Sequence, residues 1–220
     1  MPLYTKLGDS GQTRLYGGEK ISKSEPRIQA YGAIDELNAL IGIMLAGPID
    51  DTIKEKLVKI QHAMYRAGAD LATPLNHQGE AIRITQEDVE MIENWIDDEE
   101  GKVPVLSSFI LPGGSMLGSQ LHLARTVCRR AERWLVGLVK EEEKLSEETE
   151  TSPEALEALP GGLKLGVNFA AMRYLNRLGD FLFALARVVN ASAGAVEIEA
   201  GSEDSSGQIR KDLGEEVNGS

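Results

Sequence analysis

The sequence predicts an all-α protein, a five-helix up-and-down bundle, and three observations carry that expectation. Five segments space their apolar residues at the three- and four-residue steps of a helix, most connections are short, and no segment alternates polar and apolar residues with the period of two that a half-buried strand needs. The chain has 220 residues and 42% hydrophobic content, enough for one sizeable core.

The first helix is expected over 27 to 46, where Ala30, Ile34, Leu37, Ile41 and Leu45 mark one face. Ile53, Leu57, Ile60, Met64, Ala67 and Leu71 mark a second. Thr85 followed by Asp88 has the spacing of a capping box, and starts a third through Val89, Ile92 and Ile96. Pro112-Gly113-Gly114-Ser115 is a break followed by an N-cap. From Leu117 the series Leu121, Ala124, Cys128, Ala131, Leu135 and Leu138 gives a long helix with a narrow apolar seam. The last helix, about 165 to 190, carries Phe169, Met172, Leu175, Leu178, Leu182 and Leu185.

Two stretches fall outside the bundle. Residues 141 to 164 are acidic and contain Pro153 and Pro160, which reads as a partly helical, solvated insertion. Residues 191 to 220 are rich in Gly, Ser and acids, which reads as a disordered tail. One domain is therefore expected over 1 to 190, opening with a Gly-rich segment at 1 to 26.

The net charge of −12 argues against broad binding of nucleic acid or an anionic membrane. With no run of about 20 apolar residues and no signal-like start, the expected setting is cytoplasmic. A lone Cys128 cannot form an internal disulfide, and His62, His77 and His122 lack zinc-ligand spacing, so no protein-only metal site is expected. The segment 101 to 140 reverses the overall sign, carrying six basic residues against one acid. Such an island within an acidic chain points to a local anion site.

That island contains Arg125, Arg129 and Arg133 at i, i+4 and i+8, a ladder beside the apolar seam. It is either a polyanion site or a solvated basic face with Glu132 pairing Arg129. Gly8-Asp9-Ser10-Gly11 near the start allows a turn whose N–H groups converge on phosphate, with Lys20 or Lys23 adding charge, or else an ordinary surface turn. Neither a P-loop nor G-x-G-x-x-G occurs. Asn176 and Asp180 share a face of the last helix, placed either to bind a ribose or phosphate or to bridge helices. Asp35 is a candidate partner for an Arg. Cys128 lies on the seam as packing, and no Ser-His-Asp or Cys-His arrangement is present, so any catalysis rests on positioning and charge.

Five blocks, Y-T-K-x-G-D-x-G-x-T at 4 to 13, A-Y-G-x-x-D-E-L-N at 30 to 38, F-I-L-P-G-G at 109 to 114, R-x-x-C-R-R-A-E-R at 125 to 133 and L-N-R-L-x-D-F-L-F at 175 to 183, run in order along about 1 to 190. Together they resemble the PduO-type ATP:cob(I)alamin adenosyltransferases. The chain departs from that pattern at Leu7, Gln29 and Gly179 and in the longer acidic insertion after Lys140.

The resemblance implies a homotrimer of five-helix bundles with ATP and corrinoid bound where two subunits meet. The N-terminal segment, here Thr5, Lys6, Gly8, Asp9, Ser10, Gly11 and Thr13, would wrap the triphosphate together with Lys23. Arg129, Arg133 and Asn176 would also contact ATP, Asp35 would pair with Arg125 across the interface, and Phe109 would stand against the corrin. The implied substrates are ATP with Mg²⁺ and cob(I)alamin, with Phe109 and Arg129 nearest the chemistry. The implied partners are a reductase or other electron donor and, as a candidate, an adenosylcobalamin-dependent acceptor enzyme. A non-catalytic trimeric carrier or sensor of nucleotide and corrinoid is the alternative.

Overall fold

The computed structural model describes residues 4, 6, 8–16, 20–73, 80, 82–148 and 166–200, with the backbone alone over 141–148. Its helices are α1 (Pro26–Leu45), α2 (Asp51–Ala72), α3 (Gln86–Glu100), α4 (Met116–Glu148) and α5 (Phe169–Ser192). All five expected helices form, with α1 and α5 within a few residues of their expected bounds.

Their ends follow local chemistry. Pro26 opens α1, where a missing N–H costs nothing. Asp50 caps α2 by accepting the Thr52 N–H at 2.8 Å. Thr85 donates its own N–H to Asp88 Oδ2 at 2.9 Å, which realises the expected capping box. Ser115 caps α4 through its hydroxyl, which accepts from Gly118 N–H at 3.1 Å, and Asn168 caps α5.

Helix α1 packs on α2 and α4, α4 packs on α5, and α5 packs on α3. Polar contacts join α2 to α3 and complete the bundle: Lys56 pairs with Glu99 at 2.7 Å and Arg66 with Asp88 at 2.5 Å. The core consists of the expected apolar faces, including Leu37, Ile41, Leu57, Ile60, Leu121, Leu135, Leu175 and Leu182, all essentially inaccessible. Cys128 belongs to it. Its thiol donates to the Leu175 carbonyl at 3.1 Å, and burial pushes its pKa far up, leaving it an inert packing group.

Three features differ from the sequence expectation. A short antiparallel hairpin is present, β1 (Gln12–Arg14) against β2 (Lys20–Ser22), with Thr13 opposite Ile21. Three-residue strands offer too few positions for alternation to show. The boundary at 191 is also corrected: α5 runs to Ser192, and the chain stays paired with the rest of the protein as far as Ala200. The average composition of 191 to 220 masks the contribution of Glu197 and Ile198, whereas 201–220 lies outside the described residues. The backbone of α4 continues to Glu148, into the acidic stretch, and the rest of that insertion, 149–164, also lies outside them.

Candidate functional site

The Gly-rich opening folds back on itself before entering β1. Gly11 N–H donates to the Gly8 carbonyl at 3.2 Å, and Lys23 N–H donates to the Gly11 carbonyl at 2.9 Å. The Lys23 ammonium reaches the Gly8 carbonyl at 3.0 Å, so the cation lies over the turn. Gly11 has φ +77° and Lys6 φ 58°, the left-handed region that glycine tolerates and lysine does not favour. Asp9, Ser10 and Lys6 are exposed and Gly8 and Thr13 partly so, while Thr5 lies outside the described residues.

The hairpin is pinned to the end of α2 by Tyr16 N–H, which donates to the Ala72 carbonyl at 3.0 Å. Between it and α1 and α2 lies a cleft of ≈ 510 Å³, lined among others by Thr13, Lys23, Tyr31, Asp35 and Asn38. Gly68 on α2 lets the Tyr31 ring approach, since a Cβ there would stand 3.0 Å from the ring edge. Asn38 Oδ1 is buried with no hydrogen-bond partner, an acceptor left open beside this cleft. Asn38 and Tyr31 have no role in the sequence reading; both sit in the A-Y-G-x-x-D-E-L-N block, each about one helical turn from Asp35.

The ladder on α4 divides. Arg125 is half-buried with its guanidinium carbon 5.2 Å from the centroid of the Phe183 ring on α5, a cation–π contact. Arg129 and Arg133 are exposed, and neither has a hydrogen-bond or ion-pair partner among the described residues. Glu132 accepts from Asn176 Nδ2 at 2.8 Å, so the alternative in which Glu132 neutralises Arg129 is not what forms. The stem of Arg129 runs beside Gly179, whose added Cβ would meet it at 3.8 Å. Other guanidinium groups are paired: Arg66 with Asp88, Arg83 with Asp70, Arg130 with Glu36 and Arg187 with Glu197.

No one hollow described in the chain is lined by all the sequence-predicted residues. The cleft holding Lys23, Thr13 and Asp35 is lined by none of Arg125, Arg129, Arg133 and Asn176. Asp35 is exposed, with no partner among the described residues. Asn176 borders a separate hollow of ≈ 260 Å³ with Glu132, Arg173 and Arg177.

Phe109 stands in the connection between α3 and α4 and is 87% exposed. That excludes a role as a helix-entry core residue. His122 on α4 is buried with Nε2 unpartnered among the described residues, and its ring makes an edge contact with Phe183. Burial and then the Arg125 charge lower its pKa, against a smaller opposing effect of Glu197, so the imidazole stays neutral.

Comparison with known proteins assigns this arrangement to a class. The cobalamin adenosyltransferase family model matches residues 3–189. The corrinoid adenosyltransferase of Bacillus subtilis is 41% identical over 203 residues, covering 90% of this chain and 92% of the relative. The corrinoid adenosyltransferase PduO of Citrobacter freundii is 38% identical over 194 residues, spanning 88% of this chain but 51% of that longer protein. Among solved structures, a Phe-to-His variant of the PduO-type ATP:corrinoid adenosyltransferase from Lactobacillus reuteri, complexed with cobalamin and ATP, superposes with a TM-score of 0.77. It is 33% identical, covering 91% of this chain and 97% of the other. The chain belongs to the cobalamin adenosyltransferase family.

Proposed function

We propose that this protein transfers the 5′-deoxyadenosyl group of ATP to the cobalt of cob(I)alamin, giving adenosylcobalamin and triphosphate. The observation that carries the reading is the pair of exposed guanidinium groups of Arg129 and Arg133, one helical turn apart and without a partner among the described residues, where five other arginines are matched with acids. Two cations one helical turn apart repel mildly unless an anion lies between them, and a triphosphate is such an anion. The turn at Gly8 to Gly11, with Lys23 above it, is the second candidate phosphate-binding element.

Since these two elements face different parts of one protomer, the reading places them together only when two copies meet. In a homotrimer, Lys6, Gly8 to Gly11, Thr13 and Lys23 of one protomer would face Arg129, Arg133 and Asn176 of its neighbour, with Thr5 contributing from the same segment. Asp35 and Arg125 would pair across that contact. The exposed Asp35 carboxylate and the Arg125 guanidinium, held against Phe183, are consistent with such a pairing.

In the reaction, cob(I)alamin supplies an electron pair that attacks C5′ of ATP in line. The Co–C bond forms as the C5′–O bond breaks, and the triphosphate leaves with the bonding pair. The cobalt nucleophile needs no general base, so the protein's share is alignment, worth roughly 7 to 11 kcal/mol, and stabilisation of charge on the leaving group. Arg129, Arg133 and Lys23 would provide that stabilisation, together with Mg²⁺ carried on the phosphate oxygens. Phe109 offers an apolar ring with no lone pair to the lower face of the corrin, which favours a four-coordinate metal and eases its reduction.

A reductase or other electron donor must supply Co(I), and an adenosylcobalamin-dependent enzyme would consume the product. A cytoplasmic setting fits a reaction that uses ATP. No helix among the described residues is long and apolar enough to cross a membrane. The direct test is to mix the protein with MgATP and chemically reduced cob(I)alamin and follow the absorbance spectrum. Conversion to the adenosylated product supports the enzyme, and binding of both ligands without turnover would favour a carrier or sensor.

A further inference from the structure

We propose that residues Ala195 to Ala200, together with Arg187 and Glu197, form a strap that positions Phe109. The inference rests on the role given to Phe109 above and names the residues that make that role geometrically achievable.

An aromatic side chain that must stand at a set height against a flat ligand needs a fixed support. At 87% exposure the Phe109 ring is not held by packing, so the backbone must hold it. The connection that carries it runs from the end of α3 to Ser115 with no helix or strand of its own. Support comes from α5 and the segment that follows. Arg187 Nη2 donates to the Pro104 carbonyl at 2.9 Å, near the start of the connection, and Asn190 Nδ2 donates to the Gly113 carbonyl at 2.9 Å, near its end.

In the middle, the backbone hydrogen bonds made among the described residues go to the strap. Ala200 N–H donates to the Phe109 carbonyl at 2.7 Å and Leu111 N–H donates to the Ile198 carbonyl at 2.8 Å, on either side of an antiparallel bridge between Ile110 and Glu199. These two bonds bracket Phe109-Ile110-Leu111. In extended backbone successive side chains alternate, which puts Phe109 and Leu111 on one face, 87% and 48% exposed, and Ile110 on the other.

The strap is tied down by charge. Glu197 Oε1 accepts from Arg187 Nε at 3.0 Å, and its Oε2 accepts from Nη2 at 3.2 Å. Arg187 is 9% exposed, so Glu197 neutralises a largely buried cation and cannot be released cheaply. One guanidinium thereby fixes both the strap and the start of the Phe109 connection. Val196 is 68% exposed, so the strap buries little apolar surface, and the stability lost with it comes chiefly from leaving Arg187 without its carboxylate.

The test compares chains ending after Ala200 and after Gly194, with Glu197→Gln in the full chain as a milder lesion and Phe109→Ala as control. Four quantities are read: four-coordinate cob(II)alamin by EPR with MgATP bound, turnover from cob(II)alamin with reductant, MgATP affinity, and Tm. Ending the chain after Gly194 should abolish most of the four-coordinate signal and lower turnover by up to about 10²-fold, with MgATP affinity unchanged. Glu197→Gln should show a smaller loss of the same kind. Equal EPR signals in the two truncated chains would overturn the strap while a signal lost in Phe109→Ala would leave the role of Phe109 standing. A full signal in Phe109→Ala would remove that role and the strap with it. Parallel loss of MgATP affinity and Tm after Gly194 would make the segment a general support and reject the positioning role.

Discussion

Asn190 on α5 and Ser115 at the start of α4 are joined by two hydrogen bonds: Asn190 Oδ1 accepts from the Ser115 N–H and from its hydroxyl, each at 2.9 Å. The Asn190 amide donates to Gly113, so one buried side chain fastens the turn that launches α4. The close approach depends on two glycines. Gly114 has φ +98°, and a Cβ on Gly118 would stand 1.9 Å from Asn190 Oδ1. Because Asn190 is bonded at both ends of its amide, it cannot swing aside. Gly118→Ala should therefore destabilise the protein by about 1 to 3 kcal/mol, and Asn190→Ala by a similar amount through orphaned polar groups. Denaturant midpoints would check both, and an unchanged midpoint in Gly118→Ala would contradict this packing.

Acid should weaken the contact between α2 and α3. Burial works to raise the Asp88 carboxyl, but hydrogen bonds and charge from Arg66, and the Thr85 N–H, outweigh it and hold the pKa below the ordinary range. Glu99 behaves alike: burial is outweighed by Lys102 and Lys56. A carboxyl depressed in the folded state stabilises fully above its unfolded pKa, about 4, and that stability is lost as pH falls through the folded value. The Tm gap between wild type and Asp88→Asn should be wide at neutral pH and narrow below about 4. A gap that stays constant across that range would reject the linkage.

Arg129→Ala should weaken MgATP binding by the roughly 1.5 to 3 kcal/mol of a charged hydrogen bond while leaving Tm unchanged, because Arg129 has no partner to lose within the described residues. Arg129→Lys should rescue poorly, since a point charge does not span two phosphate oxygens as the planar fork does. Calorimetric titration measures both variants. Wild-type affinity in Arg129→Ala would remove Arg129 from the site.

Asp35→Arg should shift the protein toward monomer in sedimentation, and adding Arg125→Asp should restore part of the assembly if the two side chains meet between copies. An additive, further loss in the double variant would show that they do not pair.

The helices were legible because each carries a long apolar face and a capping signal; Thr85 with Asp88 and Ser115 after two glycines mark their starts at the residue level. The hairpin escaped because its strands are three residues long. The strap escaped because it is held by a single β-bridge and by one ion pair, Arg187 with Glu197, between segments of opposite character, an apolar helix and an acidic tail. The only trace in the sequence is an Arg and an Asn, at 187 and 190, three residues apart in an otherwise apolar run. The Arg ladder was visible as spacing, but whether Glu132 neutralised it depended on where Asn176 fell, which is a tertiary fact.

If two copies complete the ATP site, subunit mixing will reveal it. Lys23→Ala and Arg129→Ala each damage one half of the proposed site, on different protomers of any one contact. If the two variants, each nearly inactive, are unfolded together and refolded as a mixture, random assembly regenerates an intact site at about a quarter of the contacts. Adenosylation activity should reappear in the mixture at roughly that fraction of wild type. Activity no greater than the average of the two separate variants would contradict completion by two copies and place the whole site within one protomer.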